Sequence, residues 1–98
     1  PKLRIFEDSQ GKMNRSLLDE KGKLLLVSQF TLIADTKKGL RPFFGEAEGP
    51  DRAHQLFEKA VEYYQSSGIP TETGRFGAMM SVSLVNEGPV TLILETER

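Results

Sequence analysis

The sequence contains no cysteine. Disulfides, thiolate metal sites and thiol nucleophiles are therefore excluded, and no oxidising compartment is required. A single histidine and scattered carboxylates leave no metal-ligand spacing. No Ser-His-Asp order with a strained serine elbow occurs, and neither a phosphate-binding glycine loop nor a dinucleotide fingerprint. No cofactor is expected, and no metal. No apolar run reaches membrane length, so no membrane partner is expected and the cytoplasm is the expected compartment. Thirteen Lys and Arg against 14 Asp and Glu, a net charge of −1, argue against a broadly basic nucleic-acid coat. No DNA partner is expected, while a local basic patch stays open. Internal repeats, linkers and low-complexity tracts are missing too.

What is present fits one α+β domain over residues 1–98. A domain of this size buries about two thirds of its unfolded surface, a modest core that a subunit partner would complement. The chain opens on Pro1, and its first residues already read as structured, so a further N-terminal piece is expected.

The most apolar run is Lys23–Ile33, interrupted by Ser28, Gln29 and Thr31. Gly22 precedes it and Asp35–Gly39 follows as a turn, so Leu24–Ile33 reads as a strand covered on both faces. A buried hydroxyl or amide without a partner costs about 1–3 kcal/mol. The three polar side chains therefore either bond neighbouring backbone or line a pocket whose ligand supplies the partner. Before it, Lys2–Phe6 alternates with period two and Met13–Leu18 returns as the second arm of a hairpin. Leu17 and Leu18 are expected on the core.

Lys37, Lys38 and Arg41 make the only basic cluster, around Gly39 and before Pro42. It is either a solvated turn or a loop that meets phosphates. Phe43 and Phe44 either plug the core or stack on a ligand. Asp51–Gln65 is the clearest helix, with Ala53, Leu56, Phe57, Ala60, Val61 and Tyr64 on one apolar face. His54 lies off that stripe and reads as solvated. Ile69–Gly77 is expected to be extended, with Gly74 and Gly77 presenting Phe76. Ala78–Val85 and Val90–Glu95 read as strands joined by the turn Asn86–Pro89. From these features alone the reading stops at a small α+β domain with one polar strand and one basic turn.

Four motifs occur in order: Ser28-Gln29-Phe30-Thr31-Leu32, Lys38-Gly39-Leu40-Arg41-Pro42, Gly74-Arg75-Phe76-Gly77-Ala78-Met79-Met80 and Asn86-Glu87-Gly88-Pro89-Val90-Thr91. Together they resemble the D-aminoacyl-tRNA deacylases, from about Leu3 to the C-terminus. Ile33, Leu40, Phe43 and Glu87 depart from residues common in that family. All four stand beside the motif residues and leave Ser28–Thr31 and Gly88-Pro89 intact.

The resemblance implies a mixed or antiparallel, barrel-like sheet with the helix packed on it, here matching the C-terminal two thirds of the family's chain. It implies hydrolysis of the ester between a D-amino acid, or glycine on a wrong tRNA, and the tRNA 3′ adenosine. It implies a homodimer with the active site at the subunit interface. Ser28, Gln29, Phe30 and Thr31 match the catalytic pocket floor. Gly88 and Pro89, joined in the family by a cis bond and preceded by Asn86, match the motif that excludes L side chains. Phe76, Ala78 and Met80 match the adenosine cradle, and Lys37, Lys38 and Arg41 would meet tRNA phosphates. Two alternatives stay open: a non-catalytic or truncated relative that binds the tRNA end, and a deacylase preferring an L-alanyl ester.

Overall fold

Arg4–Glu7 (β1) and Met13–Ser16 (β2) form the antiparallel hairpin expected at the start of the chain. The structure is a computed structural model that describes residues 1–96. Asp8 holds the hairpin turn. Its Oδ1 accepts from the backbone N–H groups of Gln10 at 2.8 Å and Lys12 at 3.0 Å, and its Oδ2 from Asn14 Nδ2 at 2.9 Å.

The second arm stops at Ser16, short of the expected Leu18. Ser16 instead caps a one-turn helix, Leu17–Glu20 (α1). Asp19 N–H donates to Ser16 Oγ at 3.2 Å while Ser16 N–H donates to Asp19 Oδ2 at 2.8 Å. This reciprocal pair satisfies two backbone donors at once and stops the strand. Leu17 is half-buried and Leu18 exposed.

The apolar run departs further from expectation. Only Leu24–Leu26 is strand (β3), and Phe30–Ile33 winds into a 3₁₀ turn. A strand persists only while a neighbour's backbone runs beside it. Here the neighbour is Thr71–Thr73 (β4), parallel to β3, with Leu24 opposite Thr71 and Leu26 opposite Thr73. Gly74 N–H donates to Leu26 O at 2.9 Å and closes the ladder. Nor is the run covered on both faces, since Leu25, Phe30, Leu32 and Ile33 are all exposed.

Parallel neighbours require a long crossover. Here it contains the main helix, Pro50–Ser66 (α2), one residue longer at each end than the expected Asp51–Gln65. Pro50 opens the helix without loss, because a first-turn N–H has no intrahelical acceptor. The chain then turns through Gly68 into Ile69, which is 3% exposed and the one buried apolar side chain among the described residues. The result is an α+β chain with two separate two-stranded sheets, β1-β2 antiparallel and β3-β4 parallel.

The strands expected at Ala78–Val85 and Val90–Glu95 are absent. Both segments lie in no strand, and the turn between them carries a cis Gly88–Pro89 peptide. Among the described residues, the backbone of residues 79–96 makes no hydrogen bond to another backbone group. Alternation records which side chains share a face, but a ladder needs a second backbone alongside. The exposed side chains there include Met79, Leu84, Val85, Ile93 and Leu94. The molecule exposes 9088 Å², against about 5,600 Å² for a compact monomer of this mass. Its radius of gyration is 16.2 Å, against about 13 Å for a compact domain of this length.

Candidate functional site

Parallel pairing decides where the motifs meet. Because β3 and β4 run the same way, the segments that leave them emerge at the same end of the sheet. Val27–Thr31 leaves β3 there and Gly74–Met80 leaves β4. A Cβ placed on Gly74 would stand 3.2 Å from the Met80 thioether and 3.5 Å from Val27 Cγ1, so Gly74 permits the close approach of the two segments. In parallel sheets the carboxyl ends of the strands are where ligands are usually bound.

At this end Ser28 is half-buried, and Gln29, Phe30 and Thr31 are exposed. Among the described residues, the side chains of Ser28, Gln29 and Thr31 make no hydrogen bond, and the N–H groups of Ser28 and Gln29 donate to no other backbone group. Of the two alternatives read from the sequence, bonding to neighbouring backbone is therefore not realised. These groups remain uncommitted donors and acceptors.

The 3₁₀ turn leads directly into the basic loop. Asp35 and Phe43 close its base, Asp35 N–H donating to Phe43 O at 2.7 Å and Phe43 N–H to Asp35 O at 2.8 Å. Asp35 Oδ1 also accepts from Lys37 N–H at 2.8 Å, a local turn that starts the loop. Lys37, Lys38 and Arg41 all lie exposed between the two bridging residues. The aromatic pair just after the loop divides. Phe44 is half-buried and meets the Phe30 ring edge-on, whereas Phe43 is exposed and folds over Gly45.

The expected adenosine cradle is only partly assembled. Gly77, at φ +73°, and a hydrogen bond from Ala78 N–H to Arg75 O at 3.2 Å curl residues 75–78 into a turn. Met80 folds back so that its sulfur accepts from Arg75 N–H at 3.4 Å. Phe76 points to α2, where its ring stacks on His54, while Ala78 is exposed. His54 is thus exposed, as read from the sequence, and carries a ring contact that no periodicity signals. The cleft beside it, about 440 Å³, is lined by α2 residues and by Thr73, Gly74 and Phe76.

Asn86, Gly88 and Pro89 are exposed. A Cβ on Gly88 would meet nothing within 4 Å. Among the described residues, no hydrogen bond joins this turn to Ser28–Thr31.

Two contacts at the site escaped the sequence reading, Phe44 on Phe30 and His54 on Phe76. Thr71–Thr73 lies within the stretch expected to be extended, but its parallel pairing with β3 was not foreseen, although Thr71-Glu72-Thr73 after Pro70 carries the β-branched signal of a short strand.

Fold and site define a small α+β domain that offers uncommitted hydrogen-bonding groups, an aromatic-lined cleft and a cationic loop near one end of a parallel strand pair. The family model described as D-Tyr-tRNA(Tyr) deacylase matches residues 1–95, and the chain belongs to that family. Similar proteins include a D-aminoacyl-tRNA deacylase of Exiguobacterium sibiricum, 60% identical over 93 residues covering 95% of this chain and 64% of that protein. Another, from Chlorobaculum tepidum, is 59% identical over 99 residues, covering all of this chain and 66% of its own length. A third, from Aquifex aeolicus, is 57% identical over 94 residues, covering 96% of this chain and 64% of its own. The chain thus spans just under two thirds of the length of the curated relatives it matches.

Proposed function

We propose that the protein hydrolyses the ester between a D-amino acid and the 3′ adenosine of tRNA, with glycine on a wrong tRNA as a second substrate. The observation that carries this reading is the uncommitted Ser28–Thr31 stretch at the carboxyl end of β3, in a chain of the deacylase family. Attack by water on the ester carbonyl pushes negative charge onto its oxygen. The free N–H groups of Ser28 and Gln29 are suited to that oxyanion, and preorganised donors of this kind contribute several kcal/mol, about 3–4 for a single one. The bond to the ribose 3′ oxygen then breaks, and that oxygen takes a proton. Free amino acid and tRNA leave.

Among the described residues no base is hydrogen-bonded to the Thr31 side chain to activate it, so Thr31 holds the water or the scissile group and the ribose 2′-OH assists. Phe30 completes the pocket floor. Stacking of a base on an aromatic ring contributes about 1–3 kcal/mol, and Phe76, with Ala78 and Met80, forms the adenosine side. Lys37, Lys38 and Arg41 meet phosphates.

Stereochemistry is enforced by exclusion. The carbonyls of Gly88 and Pro89, in the turn set by Asn86, receive the α-ammonium and block a side chain of L configuration. This turn reaches the pocket of a second subunit in a cytoplasmic homodimer, whose assembly completes a barrel-like sheet over the single domain of residues 1–98. The exposed surface supports that assembly, because residues 79–96 offer unpaired backbone and apolar side chains. Unpaired N–H and C=O groups of this kind can pair with the backbone of another chain.

The test compares hydrolysis of D-Tyr-tRNA and L-Tyr-tRNA. Rapid, selective loss of the D-ester is expected, and equal rates on both esters overturn the reading. Tight binding of uncharged tRNA without turnover would instead support a non-catalytic tRNA-end binder.

A further inference from the structure

Phe76 sits in a turn after the last ladder bond, and a side chain in such a turn has rotamers to lose on binding. An aromatic platform binds well only if its orientation is set beforehand. Two rings of α2 set it. The His54 ring lies parallel to Phe76, centroids 4.5 Å apart and planes within 6°. Phe57, one turn further along the helix, tilts against Phe76 at 6.0 Å and 40°.

His54 is in turn tethered. Its Nε2 lies 3.2 Å from Glu58 Oε1 at the i,i+4 spacing. Both side chains are more than half exposed, 52% and 65%, and an exposed pair of this kind contributes little by itself. The contact that holds Phe76 is therefore the ring stack, with Glu58 limiting the directions in which the imidazole can turn. Gly77, at positive φ, lets the chain turn immediately after Phe76.

We infer that His54 is a positioning residue for the adenosine end of the substrate, fixing the Phe76 ring from the helix side by face-to-face stacking. The inference rests on the reading of Phe76 given above. It assigns His54 no role in proton transfer, and it predicts a change in binding with little change in the chemical step.

The experiment compares wild type, His54→Ala, His54→Phe and Phe76→Ala in D-Tyr-tRNA hydrolysis, and wild type and the two His54 variants carry a 4-fluorophenylalanine label at position 76 read by ¹⁹F NMR. Losing one aromatic contact in His54→Ala should raise KM about threefold to tenfold, with kcat within twofold and the fluorine resonance shifted and broadened. His54→Phe keeps the stack and loses the Glu58 contact, so it should restore KM and a sharp resonance. Unchanged KM in His54→Ala with raised KM in Phe76→Ala overturns the inference alone. Unchanged KM in both variants overturns the placement of Phe76 at the adenine and the inference with it. A fall in kcat at unchanged KM would make His54 part of the chemistry and also overturns it.

Discussion

Phe30 and Phe44 meet edge to face, with ring centroids 5.1 Å apart and planes at 70°. The pair ties the 3₁₀ turn that carries Thr31 to the far stem of the loop that carries Lys37, Lys38 and Arg41. Aromatic pairs of this geometry contribute about 0.5–1.5 kcal/mol beyond the area they bury. Phe44→Ala should therefore lower stability by about 1–3 kcal/mol, adding the lost burial of a half-exposed ring. It should also reduce deacylation more than the unfolded fraction accounts for. Urea unfolding and D-Tyr-tRNA hydrolysis on the same sample separate the two effects.

The basic loop should act on affinity alone. Each lost phosphate contact reduces the slope of log K against log salt by about 0.7–0.9. Replacing Lys37, Lys38 and Arg41 together by Ala should flatten that slope by about 2–3 and weaken binding of all tRNAs alike. Filter binding between 50 and 200 mM salt is the measurement, and an unaltered slope would make the loop a solvated turn.

Gly77 sits at φ +73°, a region that costs an L side chain about 1–2 kcal/mol. Gly77→Ala meets open space, so backbone strain is its one cost. A drop in stability of about that size is expected by thermal or urea unfolding, together with a raised KM as the Phe76 turn is distorted. Ala accepted without loss would mean that the turn is set elsewhere.

Acid should loosen the N-terminal hairpin first. Hydrogen bonds with the Ser16 backbone and then its side chain hold the Asp19 carboxyl below its ordinary 3.8. Asp8 is lowered likewise by the Asn14 side chain and the Lys12 and Gln10 backbone. A depressed folded-state value stabilises the fold above the unfolded value and loses that contribution as pH falls through the folded one. The loss therefore begins below about pH 4 and completes under the lowered values. Amide exchange across Arg4–Glu20 should rise in that window, and less so in Asp19→Asn, which has no carboxylate to protonate.

The unpaired C-terminal stretch yields a prediction about assembly. Ile93 is 86% exposed within one chain, so Ile93→Asp costs the isolated subunit little. If the stretch packs in a homodimer, the charge is buried there, and the variant should shift sedimentation toward monomer at micromolar concentration. An unchanged sedimentation profile would remove Ile93 from the interface.

Much of the local structure was legible in the residues. The period-3.6 face from Ala53 to Tyr64 placed α2 to within one residue at each end, and alternation around Asp8 and Gly11 placed the hairpin. These signals are short-range, because capping, turn chemistry and amphipathicity act within a few residues. The motifs Ser28–Thr31 and Gly88-Pro89 likewise sufficed to point to the deacylase family. Long-range partnership was not legible. Leu24–Ile33 is apolar enough for a long strand, yet only three of its residues find a neighbour, and the alternation of residues 78–95 finds none within the described chain. Which ring covers Phe76 depends on bringing α2 against a turn about twenty residues on, and which strand runs beside β3 depends on backbone segments separated by the whole of α2. A sequence states what each residue prefers; only the folded chain decides which distant groups arrive within a few ångströms to satisfy that preference.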